Sequence, residues 1–157
     1  MKVMRIAIAS GKGGTGKTTV ATNLAWLAAR NGQSVAYVDC DVEEPNGHLF
    51  LKPRIADSRP IGRLYPQVDE NLCAQCGLCG EICQYSAIVC VAGKVLVYPE
   101  LCHTCGGCSL VCSPGAITEV LRETGKLETG SAGPVQFVQG LLNIGEAMSA
   151  PLIRQVK

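Results

Sequence analysis

From Gly11 to Thr18 the chain reads Gly-Lys-Gly-Gly-Thr-Gly-Lys-Thr, a G-x-x-x-x-G-K-[ST] pattern between an apolar run at residues 3–9 and a helix-like segment from about residue 16. Nothing else in the sequence restricts the fold as much, because the pattern demands a strand, a tight turn and a helix in that order. Gly11, Gly13 and Gly14, with Gly16, let the backbone turn sharply enough to aim successive N–H groups at a triphosphate, and the helix adds its positive N-terminal end. Lys17 then reaches the β- and γ-phosphates and Thr18 ligates Mg²⁺, with Thr15 and Thr19 in the same candidate nucleotide-binding set. The competing reading, a glycine-rich turn with a stray lysine, does not account for the flanking strand and helix.

The helix expected over residues 16–30 carries Val20, Leu24 and Leu27 on one stripe and stops at Asn31-Gly32. Trp26 lies one step off the stripe and reads as packing. A second apolar strand, residues 34–39, follows at once, which predicts a right-handed β-α-β unit. That strand ends in Asp39-Cys40-Asp41, and carboxylates at the C-terminal end of a strand beside the loop-bearing one lie where open α/β sheets bind ligands. Two aspartates capping a loop is the alternative. Cys40 reads as a small buried residue and His48 as a loop residue.

Ten cysteines would suggest disulfides in a secreted chain, but a nucleotide site points to a reducing, cytoplasmic setting, where clustered cysteines bind metal or carry out redox chemistry. Cys73, Cys76, Cys79 and Cys83 recur 29 residues later as Cys102, Cys105, Cys108 and Cys112, and Val68/Val97, Leu72/Leu101, Gly77/Gly106, Ala87/Ala116 and Ile88/Ile117 coincide at the same offset. Two copies of C-x₂-C-x₂-C-x₃-C resemble a bacterial-type ferredoxin module holding two [4Fe–4S] clusters. Zinc is the alternative, although zinc sites favour two separated C-x₂₋₄-C pairs over a triplet plus a fourth. The resemblance implies that the fourth cysteine of each run ligates the other cluster: Cys73, Cys76, Cys79 and Cys112 for one, Cys102, Cys105, Cys108 and Cys83 for the second. The proline usual after the fourth cysteine is replaced by Gln84 and Ser113. Cys90 matches Glu119 across the repeat and is not expected to be a ligand, and His103 is expected to be an exposed ring.

Lys12 makes the glycine loop K-G-G-x-G-K-T, and here the sequence resembles the MinD/ParA-type, Mrp-like P-loop ATPases of the SIMIBI class. That resemblance implies a homodimer in which Lys12 reaches the partner's nucleotide, and catalytic roles for Lys12, Lys17 and Asp41, with Asp39 the second choice for holding Mg²⁺ and the attacking water. It also implies that the Walker B aspartate and the second switch follow after Lys157, so the chain is expected to be an N-terminal portion. The fold class expected is α/β: a partial P-loop parallel sheet (1–66), an inserted α+β ferredoxin domain (67–120) and a return to the ATPase domain (121–157). Residues 51–67, with Pro53, Pro60 and Pro66, read as an irregular connection and Leu121–Lys126 as exposed; strand-like residues 135–138 follow, then a helix capped by Ser149 with Leu152 and Val156 on one face.

A formal charge of +1 leaves no footprint for nucleic acid, and no apolar run is long enough to span a membrane. Residues 1–9 run into the glycine loop without a cleavage site. Hydrophobic residues at 47% with charged residues at only 17% suggest that part of the surface is covered by a partner or by a missing segment. The expected activity is ATP binding with Mg²⁺ coupled to electron transfer through two [4Fe–4S] clusters toward an unidentified redox partner. The alternatives are a cluster carrier serving an acceptor protein, and a nucleotide-binding form that does not hydrolyse ATP.

Overall fold

The computed structural model describes residues 3–157. In chain order its elements are α1 (Lys17–Arg30), β1 (Val35–Asp39), α2 (Gly47–Leu51), β2 (Arg54–Val68), α3 (Leu78–Ile82), β3 (Ile88–Val91), β4 (Lys94–Val97), a 3-10 turn (Pro99–Leu101), α4 (Gly107–Val111), β5 (Ile117–Ala132), β6 (Val135–Leu142) and α5 (Ala150–Val156). They form two compact units. One comprises the described residues through Arg59 with Gly125–Leu142 and Ser149–Lys157; the other comprises Pro60–Thr124 with Asn143–Met148.

A four-stranded sheet has the order β1-β6-β5-β2. β1 runs parallel to β6, with Val35 opposite Val135 and Asp39 opposite Gln139, whereas β5 and β6 are antiparallel. The sheet is therefore mixed and not the parallel one expected. The cause is local: Ala132 pairs with Val135, so only Gly133 (φ 56°) and Pro134 connect the strands, and a two-residue turn can only send the chain straight back.

In the first unit α1 lays Ala25 and Ala29 on Tyr37, Val135 and Phe137, with Ala21, Val35 and Leu51 around them. Tyr37 and Phe137 stack at 5.7 Å between ring centroids. Side chains alternate along a strand, so Gly140 faces the opposite side from Phe137 and Gln139. There α5 buries Leu152 and Val156, and a Cβ at Gly140 would lie 2.7 Å from Val156 Cγ2 and 2.8 Å from Val42 Cγ1.

Several expectations are corrected. Residues 3–9 pair with no strand among the described residues, and Val3, Met4 and Ile6 are exposed, so the β-α-β unit lacks its first strand. An apolar run supplies side chains to bury, but a strand also needs a neighbour to satisfy its backbone. The buried face of α1 is Thr22, Ala25 and Ala29, while Val20, Leu24 and Leu27 are exposed. Small residues let the helix sit close to the sheet, and the larger stripe lies outside that contact. Trp26 is exposed, although its ring atoms lie 3.4 Å from where a Gly133 Cβ would stand. Residues 54–68 form a strand despite Pro60 and Pro66, because β2 is an edge strand and an edge can spare N–H donors. Residues 121–126 lie within β5; Leu121, Arg122, Glu123 and Lys126 are exposed as expected, while Thr124 and Gly125 are buried. His48 sits in α2, not in a loop, and Cys40 is half-buried. Ser149 occupies the N-cap of α5 but makes no side-chain cap bond.

The second unit repeats itself in its backbone as well as its sequence. Positive φ recurs at the repeat offset in Gln75/Thr104, Gly77/Gly106 and Ser86/Gly115. Gly77 and Gly106 each precede a one-turn helix, α3 and α4. The copies interlock: the Asp69 N–H donates to the Ala116 carbonyl (2.8 Å), and its repeat equivalent, the Tyr98 N–H, donates to Ala87 (2.7 Å). β3 and β4 pair antiparallel, with Ile88 opposite Val97. The core is small and partly made of cysteine. Cys79, Ile88 and Ile117 form one cluster, flanked by Cys83, Cys108 and Cys112, and Tyr65, Ala87 and Cys102 form another.

Candidate functional site

The glycine loop enters α1 through Gly14 (φ 71°) and Gly16 (φ 87°), left-handed conformations that favour glycine. A Cβ at Gly11, Gly13, Gly14 or Gly16 would meet nothing within 4 Å, so no neighbouring protein atom dictates these glycines. Open space above a glycine backbone is what a closely approaching phosphate requires. The turn is pinned by its own side chains: the Ser10 hydroxyl donates to the Lys12 carbonyl (2.8 Å), and the Thr15 hydroxyl donates to Ser10 Oγ (2.8 Å). Gly16 caps α1 without a side-chain bond and the first turn carries no acidic residue, so its N–H groups face no internal anion. Lys17 and Thr18 are half-buried; Lys12, Thr15 and Thr19 are exposed.

Because residues 31–34 turn the chain back from α1 into β1, the start of α1 and the end of β1 lie at the same end of the first unit. Asp39 and Asp41 are thereby brought to the end that carries the loop, in unlike surroundings. Asp39 is 7% exposed and accepts from the Gly47 N–H (2.9 Å), the Asp41 N–H (3.1 Å) and the Tyr37 hydroxyl (3.4 Å). Burial first, and then the Asp39 carboxylate, push the Tyr37 phenol far up, which keeps it a donor. Asp41 is exposed. Sequence reasoning overlooked Gln139, opposite Asp39 on β6: it is buried, its Nε2 donates to Glu128 Oε2 (2.7 Å), and its Oε1 has no hydrogen-bond partner. Only the parallel register, which the sequence does not display, places it there.

Two pockets in the second unit divide the cysteines. Cys73, Cys76, Cys79 and Cys112 line one, with Val68, Ile117 and other apolar residues. Cys83, Cys102, Cys105 and Cys108 line the other, with Tyr85, His103 and Glu119 at its walls. Each pocket takes three cysteines from one run and the fourth from the other. Backbone donors already serve some sulfurs, as in the Thr104 N–H to Cys102 Sγ contact at 3.4 Å. Burial pushes the Cys83 thiol up, but the backbone N–H groups of Tyr85, Ile88, Ala87 and Ser86 outweigh it and leave the thiol below its ordinary range. At Cys79 and Cys108 burial prevails and both thiols are pushed up. Cys90 lines neither pocket; its Sγ lies 4.0 Å from the Gln75 carbonyl. The exposed His103 ring stacks on Tyr85 at 3.5 Å. Among the described residues no three His, Cys, Asp or Glu side chains converge on a point suited to one metal ion.

Among the described residues no helix is long and apolar enough to cross a membrane. Residues 6–154 match the family model of the CobQ/CobB/MinD/ParA nucleotide binding domain. An uncharacterized protein of Methanocaldococcus jannaschii is 38% identical over 157 residues, covering 99% of this chain and 54% of that protein. Shorter matches include an iron-sulfur cluster carrier protein of Pseudomonas fragi, 43% identical over 34% of this chain and 21% of its own length. A chromosome-partitioning ATPase Soj of Thermus thermophilus is 60% identical over 26% of this chain and 16% of its own. The chain thus spans about half the length of the M. jannaschii relative.

Proposed function

Because this chain belongs to the CobQ/CobB/MinD/ParA family of nucleotide-binding domains, we propose that it binds ATP with Mg²⁺ at residues 11–19 and holds one [4Fe–4S] cluster in each cysteine pocket, nucleotide binding gating electron transfer through them. One observation carries the cluster half: two pockets, each with four cysteines drawn three and one from the two runs. The donor set fits. Thiolates suit iron–sulfur clusters, and a cubane takes one thiolate at each iron corner where a single ion would draw all four to one point. The clusters, when bound, supply one-electron transfer. The protein's part is to enclose them: Cys73, Cys76, Cys79 and Cys112 with apolar walls, and Cys83, Cys102, Cys105 and Cys108 in the second pocket. On this reading Pro60–Thr124 is a ferredoxin-like module.

At the nucleotide site Lys17 and the uncapped first turn of α1 neutralise phosphate charge. Thr18 and the exposed Asp41 hold Mg²⁺ on the protein side, and Asp39, occupied by its three internal donors, positions residues 39–47. Lys12, exposed on the loop, is free to reach a second copy of the chain, which makes an ATP-dependent homodimer the expected assembly. Anaerobic reconstitution followed by iron and sulfide analysis tests the cluster reading. About eight of each per chain are expected from two cubanes, and a colourless, zinc-loaded protein would overturn it.

A second reading, cluster delivery, is favoured by the exposure of Cys76 and Cys105, one in each pocket, and by a relative named an iron-sulfur cluster carrier protein. Incubation with an apo-acceptor separates the two. Net loss of iron from this chain supports delivery, and retention through cycles of reduction and oxidation supports electron transfer.

A further inference from the structure

The two cysteine pockets are related by the 29-residue repeat, so a charge that breaks the repeat belongs to one pocket and not to the other. Arg63 is such a charge. It lies on β2 and is 9% exposed; its Nη2 donates to the Cys102 carbonyl (3.1 Å) and to Thr104 Oγ1 (3.2 Å), and its guanidinium lies 5.6 Å from the centre of the Tyr65 ring. It therefore backs the loop that presents Cys102 and Cys105. Thr104 corresponds to Gln75 in the other copy, and the position equivalent to Arg63 is Ala92. The correspondence holds in space, since Gly93, beside Ala92, approaches Gln75 so closely that a Cβ there would lie 2.9 Å from Gln75 Oε1. The same corner of the repeat thus places a guanidinium behind one ligand loop and an alanine near the other.

The neighbouring charges leave that asymmetry standing. Arg122 also lies 5.6 Å from the Tyr65 ring, but it is paired with Glu146 at 3.3 Å, the one ion pair among the described residues. Glu119, which lines the same pocket as Cys102, is exposed and screened by water, whereas the buried guanidinium acts through a medium of lower dielectric.

Resting on the two-cluster reading above, we propose that Arg63 sets the order of reduction, making the cluster held by Cys83, Cys102, Cys105 and Cys108 the more positive of the two. Local net charge is among the determinants of cluster potential, and a buried cation favours the form that carries one more electron. Each cluster takes one electron from a one-electron donor, its core passing from 2+ to 1+, with no bond broken and no proton required. Arg63 acts through the ligand loop and is a positioning residue, not a catalytic one.

The test is an anaerobic dithionite titration of the full reconstituted chain, followed by electron paramagnetic resonance. Two separate one-electron waves are expected. R63M, which removes the charge at similar bulk, is expected to lower the more positive wave by at least tenfold in its equilibrium constant, about 59 mV for one electron, and to leave the other in place; R63K, which keeps the charge, is expected to retain the order. Coincident waves in the wild type, an R63M shift confined to the more negative wave, or no shift at all would overturn the proposal. Should R63M fail to hold its iron, the wild-type and R63K titrations decide: unequal waves kept by R63K support the proposal, and coincident or reordered waves refute it. Iron analysis of the same samples distinguishes the two failures. A wild type well short of about eight irons defeats the two-cluster reading, whereas a full complement with potentials indifferent to Arg63 defeats only this inference.

Discussion

Asp39 accepts hydrogen bonds from Gly47, Asp41 and Tyr37, so its charge is already engaged in holding the segment that follows β1. Asp39→Ala leaves the buried Gly47 N–H without a partner, a loss of about 1–3 kcal/mol expected in urea unfolding. Asp41→Asn removes an exposed carboxylate that holds nothing internal. It should change stability by less than about 0.5 kcal/mol while abolishing the Mg²⁺-dependent tightening of nucleotide binding, measured by calorimetry with and without the metal. Equal destabilisation by the two substitutions would contradict this division of labour. Tyr37 adds a dependence on pH. Its phenol is raised above the value of 10.0 by burial and then by Asp39, so the unfolded chain loses that proton first. The contribution is present in full below pH 10 and is lost as pH rises beyond it. The stability difference between the wild type and Tyr37→Phe should be flat from pH 7 to 9 and then shift against the wild type above 10.

Individual elements show where the sequence was informative. The helix of residues 17–30, the strand of 35–39 and the final helix were legible because caps, stops and apolar spacing are local signals. The pairing of β1 with β6 was not, since it depends on residues a hundred positions apart. The buried stripe of α1 was misread because periodicity marks the most apolar face, whereas close packing on a sheet selects the smallest one. The prolines of β2 suggested irregular structure, but an edge position accommodates them. The two cysteine runs were legible because they repeat at a fixed offset, whereas their division between two pockets was implied by the resemblance to a ferredoxin module and not by the repeat itself. Arg63 falls in the stretch read as an irregular connection, and nothing in its immediate sequence announces a partner nearly forty residues away. Gly140 was likewise silent, yet α5 docks where it has no side chain. Gly140→Ala would force its Cβ against Val156 and Val42, and overpacking of this kind costs about 1–3 kcal/mol. A lower urea midpoint with an unchanged slope is the expected result; an unchanged midpoint would mean that α5 is not held against β6.

At the scale of the whole molecule the two units keep their chains together by different means. The first has an aliphatic and aromatic core in which Phe137, Val135, Leu152 and Val42 are nearly or fully buried. The second has short helices, a two-stranded sheet of its own and core clusters that incorporate Cys79 and Cys102. A core built around thiolates gains much of its cohesion only when those thiolates bind something, and modules of this size rarely bury enough apolar surface to stand unaided. Oxidative removal of iron in the presence of a chelator should therefore unfold one unit selectively. In hydrogen exchange the amides of Pro60–Thr124 are expected to lose most of their protection, while those of α1, β1 and β6 retain it. Rebinding should release protons at neutral pH, because the cysteine thiols must ionise to ligate iron. If stripping the iron left protection in the cysteine-bearing unit intact, the fold of that unit would not depend on what its cysteines bind.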